Sequence, residues 1–154
     1  LKKIEDIDFF PCIVKPSNEG SSVGISDNNM TNTKEETINL AKRILKKYSP
    51  ILIEELIGGR EISICLAGTT KDIYLCEAVE LLLNNESVGT KIWGFESKKN
   101  SKSIVTRKII TQEFPAQFIN EAKKIFKDLG KVDLMRIDGK WKNNNFLKAI
   151  FAGL

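Results

Sequence analysis

A chain of 154 residues, 42% hydrophobic and 29% charged, is long and apolar enough for one domain with a core, which excludes a wholly disordered protein. Its 24 basic and 20 acidic residues leave a net charge of +4 spread along the chain, a mild excess that suits an anionic ligand without demanding nucleic acid. There is no histidine, which removes Ser-His-Asp and Cys-His nucleophiles and His-based zinc sites and leaves carboxylates, lysines and arginines to carry any chemistry. No apolar run approaches the roughly 18 residues of a membrane span, and the acidic, aromatic start does not resemble a signal peptide. Cys12, Cys65 and Cys76 sit singly in apolar, strand-like contexts without metal-ligand spacing, and read as reduced core thiols. The expectation is a cytoplasmic protein with neither membrane nor nucleic acid as partner.

Residues 1–10 read as the tail of an upstream segment or as an edge segment. Residues 13–15 and 22–25 read as strands on either side of Lys15-Pro16-Ser17-Asn18-Glu19-Gly20-Ser21-Ser22-Val23-Gly24. In that loop a strand delivers a lysine into a small, hydroxyl-rich, Gly-bracketed turn, where backbone N–H groups and serines can approach a polyphosphate unobstructed. A hairpin whose loop happens to be rich in Gly and Ser is the competing reading, since neither G-x-x-x-x-G-K-[ST] nor G-x-G-x-x-G is present. Residues 26–32 form a polar turn, and Thr33-Lys34-Glu35-Glu36 is a capping box that starts a helix. Its apolar stripe is Ile38, Ala41, Ile44, Leu45 and Tyr48, with Lys42, Arg43, Lys46 and Lys47 as a solvated face and Pro50 as the stop.

Residues 51–57 read as a buried strand, Gly58-Gly59 as a turn, and residues 61–67 and 73–83 as further strands whose short connections imply antiparallel pairing. Residues 84–103, Lys-rich with Trp93 and Phe95, are too long and polar for a simple turn and form either a functional flap or a merely mobile segment. A strand resumes over 104–110. Phe114-Pro115 opens a second helix with Pro near its first position, and Phe118, Ala122, Ile125, Phe126 and Leu129 make its buried stripe before Gly130 stops it. Residues 132–138 and 141–150 close the chain as a strand pair around the polar turn 142–145. The predicted class is α+β, helices packed on a mostly antiparallel sheet.

Three ordered motifs in residues 11–154 resemble the ATP-grasp portion of the D-alanine–D-alanine ligase family: Lys15-Pro16 with Glu19-Gly20-Ser21-Ser22-Val23-Gly24, then Ile51-Leu52-Ile53-Glu54-Glu55-Leu56-Ile57-Gly58-Gly59-Arg60-Glu61, then Leu129-Gly130 with Arg136-Ile137-Asp138. The resemblance implies an ATP-grasp domain over 11–154 that binds ATP and Mg²⁺ in an ATP-dependent ligation of a carboxylate to an amine through an acyl phosphate, in peptidoglycan precursor synthesis. Residue by residue, it places Lys15 on the ATP phosphates and Ser21 in the loop that covers them. It sets Glu54, the backbone of Glu55 and the side chain of Ile57 against adenine, and Glu61 against the ribose hydroxyls. Phe95-Glu96-Ser97-Lys98 is similar to an aromatic-x-x-Lys segment whose lysine also reaches phosphates, although Lys99 replaces the following aromatic. Arg136 steadies transferred groups, as the one catalytic residue the resemblance names, and Asp138 is a Mg²⁺ ligand. Without the resemblance, the Ile-Leu-Ile-Glu-Glu run reads as an edge strand with solvated carboxylates.

The last strand departs from the family's pattern, with Lys148 in a carboxylate position and Ile150 in an amide position, so Mg²⁺ binding is expected to be impaired. The family's substrate domain before residue 11 and its C-terminal end are expected to be lacking, which leaves a missing domain or a homo-oligomer as candidate partners beside ATP and small amino-acid or peptide substrates. Two alternatives stand beside an active ligase: a non-catalytic or decayed nucleotide-binding remnant, and an ATP-grasp ligase for another carboxylate and amine.

Overall fold

The computed structural model describes residues 6–18, 27–87, 89 and 105–153. Among the described residues, alternating apolar positions and one amphipathic helix build the first of two compact units, whose described part runs to Ile57. Strand β1 (Cys12–Pro16) lies between β2 (Met30–Thr31) and β3 (Ile51–Glu55), both antiparallel to it. Helix α1 (Lys34–Leu45) packs Leu40 and Ala41 onto Val14, with Ile44, Ile51 and Ile53 at the margin. Its start follows the capping box: the Thr33 hydroxyl accepts from the Glu36 N–H at 3.2 Å, and the Glu36 carboxylate reaches back to the N–H of Asn32 at 2.8 Å.

Four sequence expectations for this unit need correction or lie outside the described residues. Of the expected polar turn 26–32, residues 27–32 are more than a turn, because a short 3-10 turn (Asp27–Asn29) and β2 bury Asn29 and Thr31. The α1 stripe is shifted: Thr37 and Leu40 are buried and Leu45 is 46% exposed. Thr37 fits because its hydroxyl is satisfied, donating to the Thr33 carbonyl at 2.8 Å and lying 2.7 Å from Thr31 Oγ1 and 3.3 Å from Cys12 Sγ. Residues 51–57 are not a fully buried strand; β3 stops at Glu55, is the outer strand of its sheet among the described residues, and leaves Leu52 40% exposed. The strand expected over 22–25 lies outside the described residues.

The second unit starts at Gly58. Strands β4 (Arg60–Gly68), β5 (Ile73–Leu83), β6 (Glu86–Ser87), β7 (Val105–Ile109), β8 (Leu134–Lys142) and β9 (Asn145–Gly153) form one antiparallel sheet in the order β6-β5-β4-β8-β9, with β7 also on β5. Helix α2 (Ala116–Leu129) covers one face, where Ile62, Ile64, Leu66, Ile137 and Met135 meet Ile119, Ala122 and Phe126. Phe114 stands at the centre of an aromatic group, 5.1 Å from the ring of Trp141 and 5.3 Å from that of Phe146 at near-right angles. Gly139 allows this packing, since a Cβ there would meet the Phe146 ring at 2.6 Å and the Leu147 carbonyl.

Glu80 is 2% exposed within the sheet and is gripped by the Arg60 guanidinium through Nε at 2.9 Å and Nη2 at 2.6 Å, and by the Ser87 hydroxyl at 2.6 Å. Burial works to raise its pKa, but Arg60 and Ser87 together outweigh burial and hold the carboxyl below the ordinary glutamate value. Arg60 also lies over the Trp141 ring at 4.7 Å.

Here too the sequence expectations shift. Residues 84–87 are not the start of a flap: Asn84-Asn85 turn tightly and return β6 along β5, while the stretch carrying Trp93, Phe95 and Lys98 lies outside the described residues. In α2, Ile119 is buried where Leu129, expected inside, is 47% exposed, and Pro115 precedes the helix instead of entering it. Trp141 belongs to β8, so the closing turn is the two-residue Asn143-Asn144. Cys65 and Cys76 are half-buried free thiols, and only Cys12 is a fully buried one. Among the described residues, no helix is long and apolar enough to cross a membrane.

Candidate functional site

In the first unit, β1 and β3 pair Ile13 with Glu54 and Lys15 with Leu52. Since Val14 and Ile53 turn toward α1, the alternation of a strand puts Lys15 and Glu54 on the face away from the helix. There they are diagonal neighbours, and the Lys15 ammonium forms an ion pair with the Glu54 carboxylate. Their side chains are 28% and 44% exposed, so water weakens the pair and an incoming anion can displace it at small cost, about 0–1 kcal/mol for pairs of this kind. The two residues whose expected roles lie at opposite ends of a nucleotide are thus partners of each other here. Glu55 is exposed at the end of β3, opposite Cys12, and Ile57 follows the strand half-buried. Ser21 and Lys98 lie outside the described residues.

The second unit brings the other three expected site residues onto one face of one sheet. Across β4 and β8 the register sets Glu61 opposite Lys140, Ser63 opposite Asp138 and Cys65 opposite Arg136. The intervening Ile62, Ile64 and Ile137 turn into the core, so these six residues share the face away from α2. Lys140 Nζ donates to Glu61 at 3.1 Å and to the Gly89 carbonyl at 3.4 Å. The Asp138 carboxylate is gripped on both oxygens: Arg136 Nη2 donates to Oδ2 at 2.8 Å, Arg136 Nε lies 2.8 Å from Oδ1, and the Ser63 hydroxyl donates to Oδ1 at 2.7 Å. The Arg136 side chain is 59% exposed, so the outward edge of its guanidinium faces solvent.

Ser63 and Lys140 were not among the residues expected from sequence. The available signal was parity, since each stands two residues from an expected one and shares its face. Cys65 completes the row; burial pushes its thiol pKa up more than the Arg136 and Arg107 cations pull it down, so it stays protonated at neutral pH and offers no thiolate. Asp138 faces Ala149 across the β8–β9 pair, and Lys148 faces Gly139 instead.

A hard divalent cation needs several convergent oxygens, about six counting water. Among the described residues no group of three or more His, Cys, Asp and Glu could hold one, and both oxygens of Asp138 already accept from cationic or hydroxyl donors. This donor set does not fit Mg²⁺. What it offers is N–H donors: Arg136 and Lys140, each oriented by its own carboxylate, on the face away from α2.

A profile of the family described as "D-ala D-ala ligase C-terminus" matches residues 1–149. The D-alanine–D-alanine ligase of Acetivibrio thermocellus is 35% identical over 138 residues, a match that takes in 90% of this chain and 35% of that protein. Among solved structures, D-alanyl-alanine synthetase A of Vibrio cholerae superposes with a TM-score of 0.58 at 18% identity, over 92% of this chain and 40% of its own. The D-alanine–D-alanine ligase of Bacillus anthracis complexed with ATP gives a TM-score of 0.53 at 19% identity, over 97% of this chain and 46% of its own. At these identities the likeness shows the fold, α+β of the ATP-grasp kind. The chain spans less than half the length of each of these proteins.

Proposed function

The chain belongs to the D-alanine–D-alanine ligase C-terminal family, and from that premise we propose that it is the ATP-holding part of a ligase that joins a carboxylate to an amine through an acyl phosphate. The observation that carries this reading is the placement of Glu61, Asp138 and Arg136 on one face of one sheet, in register with Lys140, Ser63 and Cys65. In this reading Lys15 exchanges Glu54 for the nucleotide phosphates, helped by Ser21 in the Gly/Ser loop and by Lys98. The outer strand β3 offers Glu54 and the backbone of Glu55 to the edge of adenine, with Ile57 as an apolar contact. Glu61 accepts from the ribose hydroxyls while Lys140 holds its carboxylate in place. Arg136 donates to oxygens that gain negative charge as the phosphoryl group moves, which lowers the barrier because the donor is oriented beforehand.

Asp138 does not fit a metal as it stands, and no step is assigned to Mg²⁺. The proposed substrates are small amino acids, D-alanine first, and the product serves peptidoglycan precursor synthesis. The amino-acid sites are assigned to the parts by which the longer relatives exceed this chain, supplied by the same polypeptide, a separate domain or a second copy. Use of ATP, together with free thiols at Cys12, Cys65 and Cys76, supports a cytoplasmic setting.

Calorimetric titration of the chain with ATP and with adenosine tests the reading. Lys15→Ala should weaken ATP roughly tenfold or more, as loss of a charge-assisted hydrogen bond does, and leave adenosine unchanged. Equal losses for both ligands would remove Lys15 from the phosphate site, and no binding of ATP to the unaltered chain would overturn the proposal.

A further inference from the structure

We propose that Arg136, Asp138 and Ser63 form an anion fork that takes nucleotide phosphate directly, without a divalent cation, and that Asp138 serves in it as a positioning residue for Arg136. The inference rests on the ATP-binding reading above and departs from the metal chemistry the family implies.

A carboxylate has about four lone-pair positions. Asp138 uses positions on both oxygens for Arg136, and Oδ1 also accepts from Ser63. A dication placed on what remains would lie against the guanidinium, like charge on like charge. Its cross-strand neighbours offer no help: on β9 it faces Ala149, which has no donor atom, and on β4 it faces Ser63, whose hydroxyl is already directed at the carboxylate. A ligand to Mg²⁺ is better placed with its lone pairs turned toward open space and other carboxylates.

The same geometry suits a different task. Arg carries five N–H donors in a rigid plane, and the Nε–Nη2 edge of Arg136 lies on Asp138. That contact fixes the plane and leaves the opposite edge turned to water, the side chain being 59% exposed. A planar fork already held in orientation meets two phosphate oxygens with little further loss of freedom. Lys140, four residues beyond Arg136 along β8 on the same face and held by Glu61, supplies a second donor at a fixed place. With each cation already paired to its own carboxylate, what this face offers phosphate is directed N–H donors and not net positive charge.

The test is calorimetric titration of the full chain with ATP, tripolyphosphate and adenosine, each in EDTA and in Mg²⁺ buffer, with Asp138→Asn and Ser63→Ala alongside and circular dichroism to verify the fold. ATP should bind in Mg²⁺ no more than about threefold tighter than in EDTA. Asp138→Asn should weaken ATP and tripolyphosphate roughly five- to twentyfold in EDTA, Ser63→Ala less, and neither should alter adenosine. If Mg²⁺ tightens ATP more than about tenfold, or if the two substitutions matter only in Mg²⁺ buffer, Asp138 is a metal ligand and the inference falls. Should ATP fail to bind in either buffer while tripolyphosphate binds in EDTA and loses affinity in Asp138→Asn, the fork stands and the nucleotide reading falls. Absence of tripolyphosphate binding in EDTA overturns the fork.

Discussion

Glu80 and Asp138 are both carboxylates held by a two-pronged arginine and a serine, yet they face opposite sides of one sheet and have different consequences. Glu80 is buried, so its partners matter for stability. Its pKa is depressed, with Arg60 and Ser87 outweighing burial, so below the ordinary glutamate value of about 4.3 the unfolded chain takes up the proton first. The stabilisation is therefore fully present above about pH 5 and is lost as pH falls through the folded value. Glu80→Gln should lower stability at pH 7 by about 2–3 kcal/mol, because the charge-assisted bonds go and Arg60 keeps partial access to water. Urea unfolding at pH 7 and pH 3 checks this: the gap between the two proteins should shrink at pH 3, and an unchanged gap would show that the ionised form of Glu80 is not what Arg60 stabilises.

At the level of elements, the sheet of the second unit depends on two tight hairpins. The loops Asn84-Asn85 and Asn143-Asn144 each have both φ values positive, 52° and 65° in the first and 51° and 62° in the second. Two-residue hairpins of this handed turn match the twist of their strands, and Asn tolerates the left-handed region better than other residues with a Cβ. Asn144→Ala should cost about 1 kcal/mol and Asn144→Gly nothing or slightly the reverse, by thermal or urea unfolding. Equal effects of Ala and Gly would mean that the turn's handedness is not what the position selects. The β8–β9 turn bears on the site as well, because its two-residue length sets the register that puts Ala149, and not Lys148, opposite Asp138. A turn one residue longer would reverse that pairing and every side chain beyond it.

For the molecule as a whole, the two units differ in how much apolar surface their described residues bury. The first relies on Val14, Leu40 and Ala41 plus a cluster of hydrogen-bonded Cys12, Thr31 and Thr37, whereas the second packs a sheet face against α2 and the Phe114 aromatic group. Local opening free energy follows buried contact, so hydrogen exchange should show the amides of β4 and β8 protected well beyond those of β1 and β3. Comparable protection in the two sheets would mean that the units open together. Nucleotide should raise protection in β1 and β3, since Lys15 and Glu54 are the ligands proposed there.

What the sequence determined alone was whatever is written within a few neighbouring residues. The capping box at Thr33, the strand over 73–83, the stop at Gly130 and the order of three motifs were legible because hydrogen bonding over three or four residues, side-chain alternation and glycine's positive φ are local effects. Lys15, Glu54, Glu61, Arg136 and Asp138 were nameable for the same reason, each sitting in a short recognisable string. Only the tertiary structure decided what those residues touch. Ser63 meets Asp138 across 75 positions of sequence and Lys140 meets Glu61 across 79, and such pairings depend on register, which two turns and the burial of the opposite face set together. Thr37 lies inside α1 and Leu45 outside because satisfied hydroxyls and the width of a three-stranded sheet, not hydropathy, determine which turn of the helix is covered. The same holds for Asp138: its string of residues marks a carboxylate, and the cations and hydroxyl that surround it, brought together by folding, determine whether that carboxylate meets a metal or an arginine.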